Sequence, residues 1–141
     1  MTEVILVAVN DSPAAFIAVD VAIEQARRLG ATLHAVMVVD RSEGEHLKPE
    51  PAALDDRREL AAHAVLRHVS ARAEAAGVDV HARRCLGRVA AEILSEARRV
   101  HAVMIVMACV DRPGHAIPTI GSHTLHVLEF STVPVLVVPS H

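Results

Sequence analysis

The sequence has no tryptophan or tyrosine, and its only phenylalanines are Phe16 and Phe130. Single-strand binders stack bases on aromatic rings, and this chain lacks that platform. A basic excess is also missing. Fourteen Lys and Arg against seventeen Asp and Glu leave a formal net charge of −3, so no positive field draws a phosphate backbone. Nucleic acid is therefore not expected as a partner. Cysteine is scarce: Cys85 and Cys109 form no CxxC pair, and free thiols in a reducing compartment are expected rather than a disulfide. Long apolar runs are absent as well. "VHAVMIVMACV" and "VPVLVV" fall far short of a membrane span, and no basic segment precedes "VILVAV" to make a signal peptide. No membrane association is expected, and the expected location is cytoplasmic.

What remains is a composition of 52% hydrophobic and 22% charged residues over 141 positions. That suits one globular domain, 1–141, with a full core. The ten histidines make the net charge sensitive to mild acid. Most are expected on helix surfaces, as His63 and His68 are placed.

Strand-like runs alternate with helical ones. "VILVAV" (4–9) reads as a buried strand. Ser12 then caps a helix with Pro13 in its first turn, Phe16, Val19, Ile23 and Ala26 share one face, and Gly30 ends it. A second strand covers 31–40. The polar stretch "RSEGEHLKPEPAA" that follows is expected to be exposed loop. A long helix from about Leu54 to Ala76 turns Leu66, Val69 and Ala73 inward. The alternating "VDVHARRC" (78–85) suits a sheet edge. A third helix buries Val89, Ile93, Ala97 and Val100. Strand 102–108, a short helix from about Gly121 to Phe130 and a strand 133–138 complete the order βαβαβαβαβ, which demands a mainly parallel sheet with helices on both faces. Ligands of such sheets bind beyond the carboxyl ends of the strands. That rule places "NDS" after the first strand and "ACVDRPG" after the fourth on one rim.

Over nearly its whole length the chain resembles the universal stress protein family. "VILVAVNDSP", "VMVVD", "GRVAAEIL" and "VMIVMA…GSHTLHVLEFSTVPVLVV" carry the likeness. The resemblance implies a Rossmann-like α/β fold, a five-stranded parallel sheet of order 3-2-1-4-5 sandwiched by four helices. It also implies a small cytoplasmic stress-response protein, dimerised through its last strand. The nucleotide-binding branch of the family carries G-x-x-G-x9-G-[S/T] after the fourth strand. Aligned on Gly121 and Ser122, this chain reads Ala108-x-x-Asp111-x9-Gly121-Ser122. The family's usual acidic residue after the first strand is Asn10 here. Val38 takes the position that meets the base, and His123 follows the serine.

These departures have physical consequences. Ala108 adds a methyl where bare backbone approaches a polyphosphate, Asp111 brings a carboxylate that repels it, and Pro113 removes a donor. Gly121, Ser122 and His123 still offer N–H groups at a helix start, unless Gly121 serves only the turn and Ser122 only as N-cap. The expected cleft residues are Asn10, Val38, Ala108, Asp111, Gly121, Ser122 and His123. The expected function is a stress-response protein that works by binding, with weak or absent ATP binding. The alternative is a functional adenine-nucleotide-binding protein, including one with slow ATP hydrolysis. No cofactor is certain, ATP or another adenine nucleotide being the candidate, and no catalytic residue is assigned.

Other constellations lead to blander readings. His115, His123, His126 and Cys109 cluster near the loop, but without a carboxylate or a second cysteine no metal site is expected. Ser12 has no G-x-S-x-G elbow around it and is better read as a cap. Glu24/Arg28 and Asp55/Glu59 are read as solvated helix charges. Two apolar faces on "TVPVLVVP" leave an edge that needs covering, and a homodimer through residues 133–138 is expected. The chain stops soon after this strand, so any protein partner is expected in trans.

Overall fold

The structure is a computed structural model that describes residues 2–40, 52–109 and 120–139. Strand β1 (Val4–Val9) is apolar throughout because both its faces are covered. Ile5, Val7 and Val9 enter one core, while Leu6 enters the other. Five strands, β1, β2 (Thr32–Asp40), β3 (Val80–Gly87), β4 (Ala102–Ala108) and β5 (Val135–Val138), form one sheet of order β3-β2-β1-β4-β5. Every pairing is parallel, as the alternation of elements requires. Helices α1 (Pro13–Leu29) and α2 (Ala52–Ala75) bury Val19, Ile23, Leu66 and Val69 against one face. Helices α3 (Val89–Arg99) and α4 (Ser122–Phe130) bury Ile93, Ala97 and Val127 against the other. Among the described residues, no helix is long and apolar enough to cross a membrane.

Three strand starts differ from expectation, each for a local reason. Gly30 adopts φ 62, and the Ala31 N–H closes back on the Ala26 carbonyl at 2.8 Å. Ala31 thus belongs to the helix stop, and β2 begins at Thr32. The same motif at Gly77 (φ 76) ties the Val78 N–H to the Ala73 carbonyl at 2.9 Å, which moves β3 from the expected 78–85 to Val80–Gly87. The Ser131 hydroxyl accepts the Val133 N–H at 3.1 Å and donates to the Val133 carbonyl at 2.7 Å. That turn holds residue 133 out of the sheet, so β5 is four residues long instead of the expected six.

The two edges of the sheet differ. On β3, His81, Ala82, Arg83 and Leu86 are exposed. On β5, Val135, Leu136 and Val137 are half-buried, and the strand carries no charge. Helix α4, which packs against β5, exposes Leu125 (58%) and Phe130 (55%).

One histidine departs from the surface pattern. His34 on β2 is buried, and its Nε2 lies 2.9 Å from Oε2 of Glu96, which is itself only 4% exposed on α3. Arg99 grips the same carboxylate through Nε (2.8 Å) and Nη2 (2.9 Å), and Arg83 reaches it from β3 at 3.1 Å. Four contacts saturate both carboxylate oxygens. The Arg99 guanidinium is the first cause holding the Glu96 carboxyl at about 2, aided by His34 and Arg83 against burial. Nearby, burial and the Glu96 charge push the Cys85 thiol up. Glu24 binds Arg27 at 2.6 Å and Arg28 at 3.0 Å on the solvated face of α1, as expected. Glu59, by contrast, crosses to Arg84 of β3 at 2.9 Å.

Candidate functional site

Strand order builds the site before any side chain is considered. The order in which strands are added reverses between β1 and β4, which remain parallel, and a crevice opens there beyond the carboxyl ends of the strands. Register then sets the rim. Val9 pairs with Met37 and Val7 with Val106, which puts Val38 level with Asn10 and Ala108 one residue behind, level with Val9, in a staggered row across β2, β1 and β4. Neighbouring strands are about 4.8 Å apart, so the row is about two strand spacings long.

A cleft of about 720 Å³ occupies this crevice. That size accommodates a nucleotide-sized ligand. Val36, Val38, Val89, Ile93 and Met107 form apolar walls, with Pro13, Ala14 and Ile17 of α1 closing one side. Asn10, Ser12, His123 and Thr124 supply side-chain polar atoms. None of the described lining residues is acidic.

Two helix starts face the cleft, and they are not equivalent. At α1 the Pro13 nitrogen carries no hydrogen and the Ala15 N–H is taken by the Ser12 hydroxyl at 3.2 Å. At α4 no side chain caps the helix, and the Leu125 N–H donates to the Gly121 carbonyl at 2.9 Å. The preceding N–H groups have no intrahelical acceptor. Only α4 therefore presents several donors, with the positive end of its dipole, to an anion. Thr124 holds this helix start in place by donating to the Ala108 carbonyl at 3.4 Å.

Of the residues expected from sequence, Asn10, Val38, Ala108 and His123 line the cleft. Gly121 and Ser122 form the adjoining turn. Asp111, Pro113 and His115 lie outside the described residues, as does the polar stretch 41–53 up to residue 51, while its last two residues, Ala52 and Ala53, open α2 instead of belonging to the loop. The alternative reading of Gly121 and Ser122 needs correcting. Gly121 is itself the N-cap, at φ −68 and ψ 160, an extended conformation open to any residue, while Ser122 sits exposed in the first turn without a cap bond. Sequence reasoning also missed Thr124, whose signal is a polar residue three places after Gly121 in a short apolar helix. Among the described residues, no group of three or more His, Cys, Asp or Glu could hold a metal. His126 turns from the cleft to pack on Phe130, ring centroids 4.8 Å apart.

Comparison with known proteins follows the same geometry. The universal stress protein family profile matches residues 1–139. A universal stress family protein from Burkholderia pseudomallei is 32% identical, with a TM-score of 0.76 and coverage of 97% of this chain and 96% of its own. The universal stress protein of Archaeoglobus fulgidus superposes with a TM-score of 0.80 at 21% identity, over 97% of this chain and 98% of that one. A universal stress protein solved in complex with cAMP is 25% identical, with a TM-score of 0.76 over 99% and 98% of the two chains. No curated protein matches the sequence. With profile, strand order and length in agreement, the chain belongs to the universal stress protein family.

Proposed function

We propose that this protein is a cytoplasmic stress-response protein that acts by binding a small adenine nucleotide in the cleft, without turnover, and that it holds a triphosphate poorly. One observation carries the reading. An apolar-walled slot beside Val38 runs along the rim to the uncapped start of α4, and no described residue lining it is acidic. Such a slot suits a base at one end and one anionic group at the other. The relative solved with cAMP supports the ligand class, since cAMP carries a single phosphate. Polyphosphate is disfavoured by the sequence. Ala108 and Asp111 stand where the family's loop has glycines, and a carboxylate there opposes additional negative charge.

Calorimetry tests this directly. AMP is expected to bind, and ATP to bind no more tightly than AMP. Replacing Asp111 by glycine is expected to tighten ATP about fivefold while leaving AMP within about twofold, because a nearby like charge costs about 1 kcal/mol in water. ATP binding far tighter than AMP in the unaltered protein would reject the reading. So would Asp111→Gly weakening ATP.

We further propose a homodimer through β5. Its half-buried Val135, Leu136 and Val137 lie at an unpaired sheet edge, and the exposed Leu125, Leu128 and Phe130 of α4 extend the apolar area. Pairing with a second copy covers both. Light scattering at micromolar concentration is expected to give twice the 15.1 kDa chain mass. A mass of one chain would reject this assembly.

A further inference from the structure

We propose that Asn10 sets the sugar-edge specificity of the cleft by presenting a hydrogen-bond donor where an acidic residue would present an acceptor. The inference rests on the nucleotide reading above and adds to it the kind of nucleotide preferred.

The Ser12 hydroxyl fixes the orientation of the Asn10 amide. Its oxygen accepts the Ala15 N–H at 3.2 Å as the cap of α1, and its hydrogen goes to Oδ1 of Asn10 at 2.5 Å. A separation of 2.5 Å belongs to the O–H···O range and is too short for N–H···O, so the oxygen of the amide faces Ser12. The Asn10 NH2 is left as the group available to a ligand, with two donors and no acceptor. An aspartate held by the same Ser12 bond would offer a second carboxylate oxygen, an acceptor bearing negative charge.

Position along the rim decides what part of a nucleotide meets this group. Asn10 directly follows β1, between Val38 on β2 and the β4–α4 corner. A nucleotide with its base against Val38 and a phosphate at the start of α4 lays its sugar over Asn10. A donor at the sugar favours an oxygen that can only accept, or one that carries charge, such as a sugar oxygen esterified to phosphate. An acidic residue favours free sugar hydroxyls, which donate to it, and repels an esterified phosphate. The neighbouring carboxylate of Asp11 is not among the lining residues, so it does not restore the acidic character. The structure therefore assigns the cleft to nucleotides whose sugar edge is closed by a phosphate ester, 3′,5′-cyclic or 3′-phosphorylated, ahead of those with a free 2′,3′-diol.

The test is calorimetry on the full chain with two probes, cAMP and 5′-AMP, for the unaltered protein and Asn10→Asp. That substitution is nearly isosteric and keeps the Ser12 bond, so folding is retained and is checked by the thermal midpoint. The unaltered protein is expected to bind cAMP at least threefold more tightly than 5′-AMP. Asn10→Asp is expected to weaken cAMP at least tenfold and to change 5′-AMP less than threefold, which inverts the ranking. Ser12→Ala, which releases Oδ1 and lets the amide turn, is expected to bring the two affinities together. Equal effects of Asn10→Asp on both probes would overturn the role of Asn10 while sparing the nucleotide reading. Failure of both probes to bind the unaltered protein would overturn both.

Discussion

Replacing Glu96 by alanine is expected to cost the fold about 3 kcal/mol, a large share of the stability of a domain this size. The substitution leaves His34 buried beneath α3 without its carboxylate partner. Arg83 and Arg99 are half exposed and turn to water, which keeps the loss at the lower end for a broken buried pair. Glu96→Gln keeps an acceptor for His34 and is expected to lose about half as much. The sign of the pH dependence follows from the lowered carboxyl. Glu96 titrates at about 2 in the folded protein against an ordinary 4.5. Its stabilisation is therefore complete above about pH 4.5, declines as pH falls, and is gone below about 2. Across that window the group accounts for about 3 kcal/mol. Urea unfolding at pH 7, 4 and 2.5 should show the unaltered protein losing stability more steeply than Glu96→Gln. Parallel curves would mean that the carboxylate is not the acid-sensitive clamp.

A second large effect is expected at the wall of the cleft. Val38 is half-buried, and its side chain borders the space where a base is proposed to lie. In Val38→Phe the ring fills that space. Losing the apolar burial of a base costs about 2–3 kcal/mol, so AMP affinity should fall on the order of a hundredfold. Stability should change little, because the new ring enters a space that is already open. Leu60→Phe, on the exposed side of α2, serves as the control and should bind AMP normally. Undiminished binding by Val38→Phe, with the fold intact, would remove the base from this wall.

The fold was legible in the sequence because continuous apolar runs and helix punctuation are local signals. The runs at Val4–Val9 and Ala102–Ala108 are largely buried, Val103 excepted, and read as central strands; Ser12, Pro13 and Gly30 bound α1 as their chemistry requires. Strand starts were misplaced where a short-range bond captured the first residue, as at Ala31, Val78 and Val133. The buried His34–Glu96 pair was not legible as a pair. It joins residues 62 positions apart, and each alone looks like an ordinary polar residue. A hint existed in Glu96 itself, which sits three residues after Ile93 on the stripe α3 buries. The rim of the cleft was legible through strand order, but its polarity was not. The direction of the Asn10 amide depends on a bond to Ser12 that composition and spacing do not reveal.

The unlike borders of the sheet bear on how far self-association can run. An oily lip at β5 invites one more strand, whereas arginines and a histidine guard the opposite lip at β3. A copy that docks at the first lip through a two-fold axis offers only its guarded lip outward. In the dimer proposed above, growth is expected to stop at the first pairing, which would let the protein keep an adhesive strand without polymerising into fibres.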